Sequence, residues 1–293
     1  MSTPLVLALV LVVVISWELV RAYRFDDRIA ERWAGDHGLE LTEESRPLVR
    51  RHLRRSRLWR TWGGVLGATL PTLIDYVLNG RVQVLGFGTD GQSAPLGFGS
   101  IFVGYLLGGL GAELSFARPI ASGRRAASVV PRELTAYLPH RLVVAQRALA
   151  ALAALGVLAI GLVPYPDTAT DPGTLALGLG AVGVLGFAAG LEALERWLVR
   201  RPQPFTDPAL VAADDALRAQ SVRAMAGAGL SLLLLLCCGA ALGLQASDVD
   251  ALNTLMIAPA VLFLLASLVA CGEVGESRWR VRRPARAGAA VSA

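Results

Sequence analysis

The residues of this chain that can do chemistry are few, and nearly all stand at the ends of apolar runs. Asp75 is the one acid well inside such a run. Burying a carboxylate in hydrocarbon is costly unless it is paired or neutral, so an acid in that setting is a functional candidate by default. Pro71 removes a helical donor and leaves a carbonyl free, while Thr69, Thr72 and Tyr76 add hydroxyls nearby. This half-turn can therefore bind a cation or a proton. The competing reading is simple hydration at the external headgroup level, and the position of Asp75 only five residues before Gly80 favours it. Glu113, Glu192 and Glu195 close other apolar runs as inner-edge acids, and together with Asp75 they offer a proton or cation route.

Most other chemistries are excluded by residue type. All 28 residues in the Lys and Arg total are arginine. A retinal or pyridoxal Schiff base, a phosphate-loop lysine and a lysine general base each need an amine that is absent. His37, His52 and His140 lie in separate segments, and no Cys or acidic cluster completes a metal site. Cys237, Cys238 and Cys271 fall inside apolar runs, where they act as small hydrophobes. Nucleophile-elbow, zinc-protease and phosphate-loop patterns are missing. The sequence thus implies a protein that is not an enzyme and uses no cofactor or metal.

The elements that must position these residues are membrane helices. Of 293 residues, 54% are hydrophobic and 17% charged, and the mean hydropathy is +0.52. A soluble domain is nearer about 45–50% apolar and about 25% charged. A spanning helix needs about 20 mostly apolar residues. Seven runs qualify: 4–20, 62–79, 96–114, 143–163, 174–194, 225–244 and 253–272. The first reads as a retained anchor, because Arg21, Arg24 and Arg28 follow it and no small-residue cleavage site does. The second is interrupted by Pro71 and Asp75, but without it the loops on either side fall on the wrong faces. Segments 21–61, 115–147, 195–224 and 273–293 hold 27 of the 28 arginines, whereas loops 80–95, 164–173 and 245–252 hold only Arg81. Those three loops also carry Asp90, Asp167, Asp171, Asp248 and Asp250. Basic loops face the cytoplasm, so the N-terminus is external and the C-terminus cytoplasmic. The expected fold is an all-α integral membrane protein of the plasma membrane, and the Arg-, Ala-, Gly- and Leu-rich composition fits GC-rich bacterial coding.

An internal repeat organises the spans. Glu192-Ala-Leu-Glu195-Arg-Trp-Leu-Val-Arg-Arg-Pro202 resembles Glu273-Val-Gly-Glu276-Ser-Arg-Trp-Arg-Val-Arg-Arg-Pro284, and Glu113 to Pro119 is a shorter copy. The prolines 119, 202 and 284 are 83 and 82 apart. Pro47, Pro131 and Pro208 each precede a stretch that closes in Arg60, Arg147 or Arg223. The unit is a cytoplasmic helix, Arg, span, external loop, span, Glu and Arg-Pro. This gives one anchor span and three like-oriented hairpins, with Glu18 marking the closing half of a fourth unit. The domains are then an anchor (1–20), a basic amphipathic segment (21–61), hairpin one with a Gly-rich external loop (62–119), linker and hairpin two (120–202), linker and hairpin three (203–284) and a tail (285–293). Like orientation distinguishes them from the inverted repeats of many transporters.

Three further features bear on packing and partners. Gly63 and Gly67, Gly104 and Gly108, and Gly186 and Gly190 have the i, i+4 spacing that lets helix backbones approach closely. In the external loop, alternating residues before Asp90-Gly91 predict a small β-hairpin turning at that pair. Residues 46–60 carry seven arginines and no acid, interleaved with Leu and Trp. That pattern reads as an interfacial helix with Arg50, Arg51, Arg54, Arg55 and Arg57 towards anionic headgroups on the cytoplasmic side. Adjacency to a span makes lipid the polyanion and excludes nucleic acid as partner. Residues 24–44 mix Arg with Asp and Glu and read as a solvated, ion-pair-laced helix and turn.

The sequence therefore points to an accessory or scaffold component that packs against other membrane proteins. The alternative is a small transporter or permease using Asp75 and the inner glutamates for proton or cation coupling. Reporter fusions check the topology beneath both: signals at Asp90 and Asp167 should be external and the signal at Ala293 cytoplasmic, and a cytoplasmic signal at either aspartate overturns it.

Overall fold

The computed structural model describes residues 27–79, 83–84, 87–88, 96–116, 133–163, 174–201, 207–245 and 250–276, with residues 13, 16, 17, 20 and 23. Those last five are helical, and the rest of the first apolar run lies outside the described residues. The helices are α1 (Asp27–Asp36), α2 (Ser45–Asn79), α3 (Leu96–Phe116), α4 (His140–Ile160), α5 (Thr174–Arg200), α6 (Pro208–Gln245), α7 (Asp250–Leu255) and α8 (Ile257–Glu276). A 3-10 turn at Leu134–Ala136 precedes α4, and a two-residue strand pair, β1 (Gln83–Val84) with β2 (Phe87–Gly88), follows α2.

Local sequence explains where the long helices begin. Gly38 takes a φ of 63° after α1, and Leu39 N–H donates to the Ala34 carbonyl at 2.9 Å, which closes that helix with a left-handed residue. Thr42 then opens α2: its N–H donates to Ser45 Oγ at 2.9 Å, and Ser45 N–H returns a bond to Thr42 Oγ1 at 3.2 Å. This reciprocal pair satisfies two donors that the first turn would otherwise leave bare. Asp207 does the same for α6, accepting from the N–H groups of Ala209 and Leu210 at 2.8 and 3.1 Å, with Pro208 in the first turn.

Two of these helices are longer than the hydrocarbon core of a bilayer is thick. α2 has 35 residues and α6 has 38. At 1.5 Å per residue they run about 52 and 57 Å, against a hydrocarbon core of about 30 Å. Their N-terminal parts instead form a layer with α1. Ala30, Trp33 and Ala34 of α1 pack with Val49 and Leu53 of α2 and with Ala213, Ala216 and Leu217 of α6. The other side of α1 carries ion pairs that reach the arginine run of α2 instead of closing within segment 24–44 as expected, Glu31 with Arg46 at 3.6 Å and Asp27 with Arg50 at 3.1 Å. The described part of that segment, 27–44, is thus solvated on one face only.

His140–Ile160, Leu175–Arg200 and Pro208–Leu244 are each long and apolar enough to cross a membrane. The apolar window of α6 is 83% buried, against 28% for α4 and 17% for α5, so α6 is the axis of the bundle. α4 packs on α5 and α6, α3 on α2 and α6, and α8 on α6. The α4–α5–α6 seam is made of small side chains, Ala150, Ala153 and Ala154 against Ala181, Leu233 and Cys237. In the absence of a hydrophobic drive between helices in lipid, such close contact supplies the attraction.

The α2–α3 contact is closer still. A Cβ on Gly63 would stand 2.1 Å from the Gly104 carbonyl oxygen, one on Gly104 2.1 Å from that of Gly63, and one on Gly108 2.2 Å from that of Trp59. The first two glycine pairs therefore interdigitate backbone to backbone. The third pair differs: a Cβ on Gly186 or Gly190 would meet no atom of another element within 4 Å among the described residues. The loop hairpin also departs from expectation. Gln83 pairs with Gly88 and Val84 with Phe87, so the chain reverses between residues 84 and 87, ahead of Asp90-Gly91, which lies outside the described residues.

Alanine at Gly63 or Gly104 should therefore separate α2 from α3 and lower the unfolding temperature in detergent by several degrees. Alanine at Gly186 should be neutral or slightly stabilising, since it gains about 1 kcal/mol of helix propensity without a clash. Equal tolerance at Gly63 and Gly186 would remove the interdigitation.

Candidate functional site

Side chains from α2, α3, α6 and the end of α5 meet at the arginine-rich end of the bundle. Glu113, one of the three inner-edge acids, lies in the last turn of α3 and is 2% exposed. Ser221 of α6 donates its hydroxyl to Glu113 Oε1 at 2.5 Å, and His52 Nε2 of α2 stands 3.5 Å from the same oxygen. Arg201, just past α5, donates through Nη1 to Glu113 Oε2 at 3.0 Å and reaches Asp214 Oδ1 at 3.4 Å with Nη2. Arg218 completes the row, donating to Asp214 Oδ2 at 2.8 Å and to the carbonyls of Val199 and Arg201 at 2.8 and 2.6 Å. Those two carbonyls are ones that the end of α5 leaves without helical partners.

The row alternates in charge: His52, Glu113, Arg201, Asp214, Arg218. Two carboxylates balance two guanidinium groups, so neutrality of the cluster requires a neutral imidazole. Burial lowers the His52 pKa from its ordinary 6.5; Glu113 and Asp214 oppose the shift and the guanidinium groups of Arg201 and Arg60 reinforce it. The combination of Ser221, His52 and Glu113 invites comparison with a nucleophilic triad. In a triad the hydroxyl donates to imidazole and the imidazole to carboxylate; here the hydroxyl proton goes directly to the carboxylate. The geometry serves pairing, not activation of a nucleophile.

The other inner-edge acids sit one seam away. Glu192 is held by Arg147 of α4 and by Arg196 one turn along α5, with Arg147 Nε at 3.2 Å and Arg196 Nη2 at 2.5 Å. Arg147 is 59% exposed at its side chain, so this pair is a surface one. Glu195 is fully buried and accepts from Gln146 Nε2 at 3.0 Å through Oε1, while its Oε2 has no hydrogen-bond partner among the described residues. The repeat unit is therefore realised unequally. Entrance arginine and exit glutamate meet in the α4–α5 pair, as Arg147 and Glu192. In the α2–α3 pair Arg60 instead lies over the Tyr105 ring, 5.7 Å from its centre, and Glu113 is taken by the arginine that precedes Pro202.

Thr72, Asp75 and Tyr76 fall in the last two turns of α2, and their side chains lie outside the described ones. Their neighbours Leu73, Ile74 and Val77 are all exposed, so much of this end of α2 faces outward. Of the five arginines expected at headgroups, Arg50 is paired with Asp27, Arg51 and Arg54 are exposed, and Arg55 and Arg57 are half-buried. Sequence reasoning missed His52, Arg201, Asp214, Arg218, Ser221 and Gln146. Two signals were available: Asp214 and Arg218 have ion-pair spacing on one helix, and His52 shares a helical face with Val49, Leu53 and Ser56, all buried. Among the described residues no group of three or more His, Cys, Asp or Glu converges as a metal site. Comparison of the chain with known protein families, curated proteins and solved structures returns no match in any of the three.

Removing one partner of a buried pair strands the other, at a cost of about 3–5 kcal/mol. Glu113→Ala should cost on that order in unfolding experiments, whereas Glu192→Ala, with exposed partners, should cost about 1 kcal/mol or less. In the same assay the lowered His52 pKa contributes stability that is complete above the unfolded value of 6.5 and is lost as pH falls below it. Wild type should therefore lose more thermal stability between neutral and mildly acidic pH than His52→Asn; parallel curves would contradict this.

Proposed function

We propose that the chain is a multi-pass protein of the cytoplasmic membrane with seven spans, an external N-terminus and three like-oriented hairpins, and that it serves as a non-enzymatic accessory or scaffold component of a membrane complex. The observation that carries this reading is the state of the inner acids. Glu113 is saturated by Arg201 and Ser221, with His52 beside it, and Glu192 by Arg147 and Arg196. Groups that relay an ion must exchange partners; these are spent on joining helices. The outward faces of α4 and α5 supply apolar surface in quantity, with Leu155, Leu179 and Val182 each more than 60% exposed, which suits contact with lipid or with other membrane helices.

The second reading, a proton- or cation-coupled permease, draws on one group. Glu195 is a carboxyl buried in an apolar seam with one oxygen unpartnered, the kind of group that proton relays use. Extraction from native membranes in mild detergent separates the two. A membrane-protein partner copurifying in fixed stoichiometry, with proteoliposomes showing no proton-coupled flux, is the expected result. A chain that purifies alone and carries a flux abolished by Glu195→Gln would reverse the order.

A further inference from the structure

α2 passes without a break from the arginine-rich layer into its apolar half, so any stripe on one half continues on the other at 3.6 residues per turn. In the apolar half the outward stripe is Trp62, Leu66, Leu73 and Val77, all exposed, while the adjoining face is closed against α3 by glycine contacts. Followed towards the N-terminus, that stripe passes through Leu58, Arg55 and Arg51, with Arg54 beside it. No acid occurs anywhere from Ser45 to Ile74.

The structure divides the arginine run in two. Arg46 and Arg50 turn to α1, where Glu31 and Asp27 hold them. Arg51 and Arg54 are exposed and have no ion-pair partner among the described residues. Trp62, 44% exposed, begins the apolar stripe, and Trp59, equally exposed, lies nearer the arginines with its ring beside Gly111 of α3; amphipathic rings at such a level mark a membrane boundary. At 1.5 Å per residue, Arg54 is about 8 Å and Arg51 about 12 Å along the axis from Trp59, the boundary ring nearer to them. The polar layer of one leaflet is about 5–8 Å deep, and a guanidinium on its long stem can lean several ångströms towards it.

We propose that Arg51 and Arg54, with Trp59 and Trp62 behind them, form a binding site for the headgroup of an anionic phospholipid on the lipid-facing side of α2. Each guanidinium offers a planar fork of donors that matches two phosphate oxygens. The net positive field of the pair, with no acid near it on this helix, favours a headgroup of net negative charge over a zwitterion whose ammonium it repels. The inference rests on the reading of residues 62–79 as a span with its arginine-rich end at the anionic leaflet. It does not rest on the scaffold role.

The test uses the full chain in nonionic detergent, mixed with equal amounts of phosphatidylglycerol and phosphatidylcholine, with retained lipid counted by native mass spectrometry. Wild type should keep the anionic lipid several-fold over the zwitterionic one. Arg51→Gln with Arg54→Gln should abolish that preference, and Arg46→Gln with Arg50→Gln should leave it intact. Arg51→Lys with Arg54→Lys, which keeps the charge, should preserve most of it and guards against misfolding of the glutamine variant. Equal retention of the two lipids by wild type, an unchanged preference in the glutamine variant, or displacement of lipid by millimolar inorganic phosphate or by a short RNA would each overturn the site. Because the lipid count is made on the isolated chain, it can fail while partner copurification succeeds, and the reverse.

Discussion

Charge can be buried at the end of an apolar bundle only where each ion finds its opposite, and that condition organises this protein. Glu113 and Asp214 lie 2% and 6% exposed, and Arg218 3%. Left single, any of these would carry a desolvation penalty of several kcal/mol. Arranged as an alternating row they neutralise one another, and because the members come from α2, α3, α6 and the end of α5, the row fixes those elements in mutual register. Arg218 adds a second service by binding the open carbonyls at the end of α5. A buried ion pair is weak evidence for stability in itself. Its better attested use is specificity, since a shifted helix would leave an unpaired charge in place of a slightly poorer apolar contact.

The row also explains why α2 and α6 are so long. Arg218 and Ser221 sit in the half of α6 that projects past a bilayer's thickness, and His52 in the matching half of α2. A layer that buries charges needs walls, and α1 supplies one through Ala30, Trp33 and Ala34. Beyond that layer the helices rely on a different contact, the backbone approach of Gly63 and Gly67 to Gly104 and Gly108. Polar pairing at one end and glycine packing between α2 and α3 are complementary: the first sets which helices meet, and the second needs them closely aligned.

What was legible in the sequence follows from range. Helical runs and the i, i+4 glycines are local patterns, and the first two glycine pairs met as their spacing implies. The third pair, Gly186 and Gly190, has identical spacing and an empty neighbourhood, because spacing reports how close a neighbour can come and is silent on whether one exists. Glu113 stood out as an inner-edge acid, but its partners Arg201 and Ser221 are 88 and 108 residues away, a separation at which no pattern in one chain links them. Segment 24–44 was half legible. Its many charges advertised the solvated face of α1 and hid the apolar spacing of Ala30, Trp33 and Ala34. In the loop, the described strand pair reverses between Val84 and Phe87, and the turn expected at Asp90-Gly91 lies outside the described residues.

The repeat makes a sharper point about function. If three hairpins shared one pattern of inner-edge pairing, a symmetric arrangement of equivalent acids would result, and equivalence is what a ring-like pathway requires. Here the α4–α5 pair joins its own arginine and glutamate, Arg147 and Glu192, at the surface. The α2–α3 pair instead sends Glu113 inward to the arginine of the following unit and parks Arg60 on Tyr105. Similar sequence units have thus been put to two uses: one closes a hairpin on itself, and the other ties one hairpin to the next. That division places the alternating ionic row between α2, α3, α6 and the end of α5, and leaves α5 with an outward apolar face that includes Leu175, Leu179 and Val182.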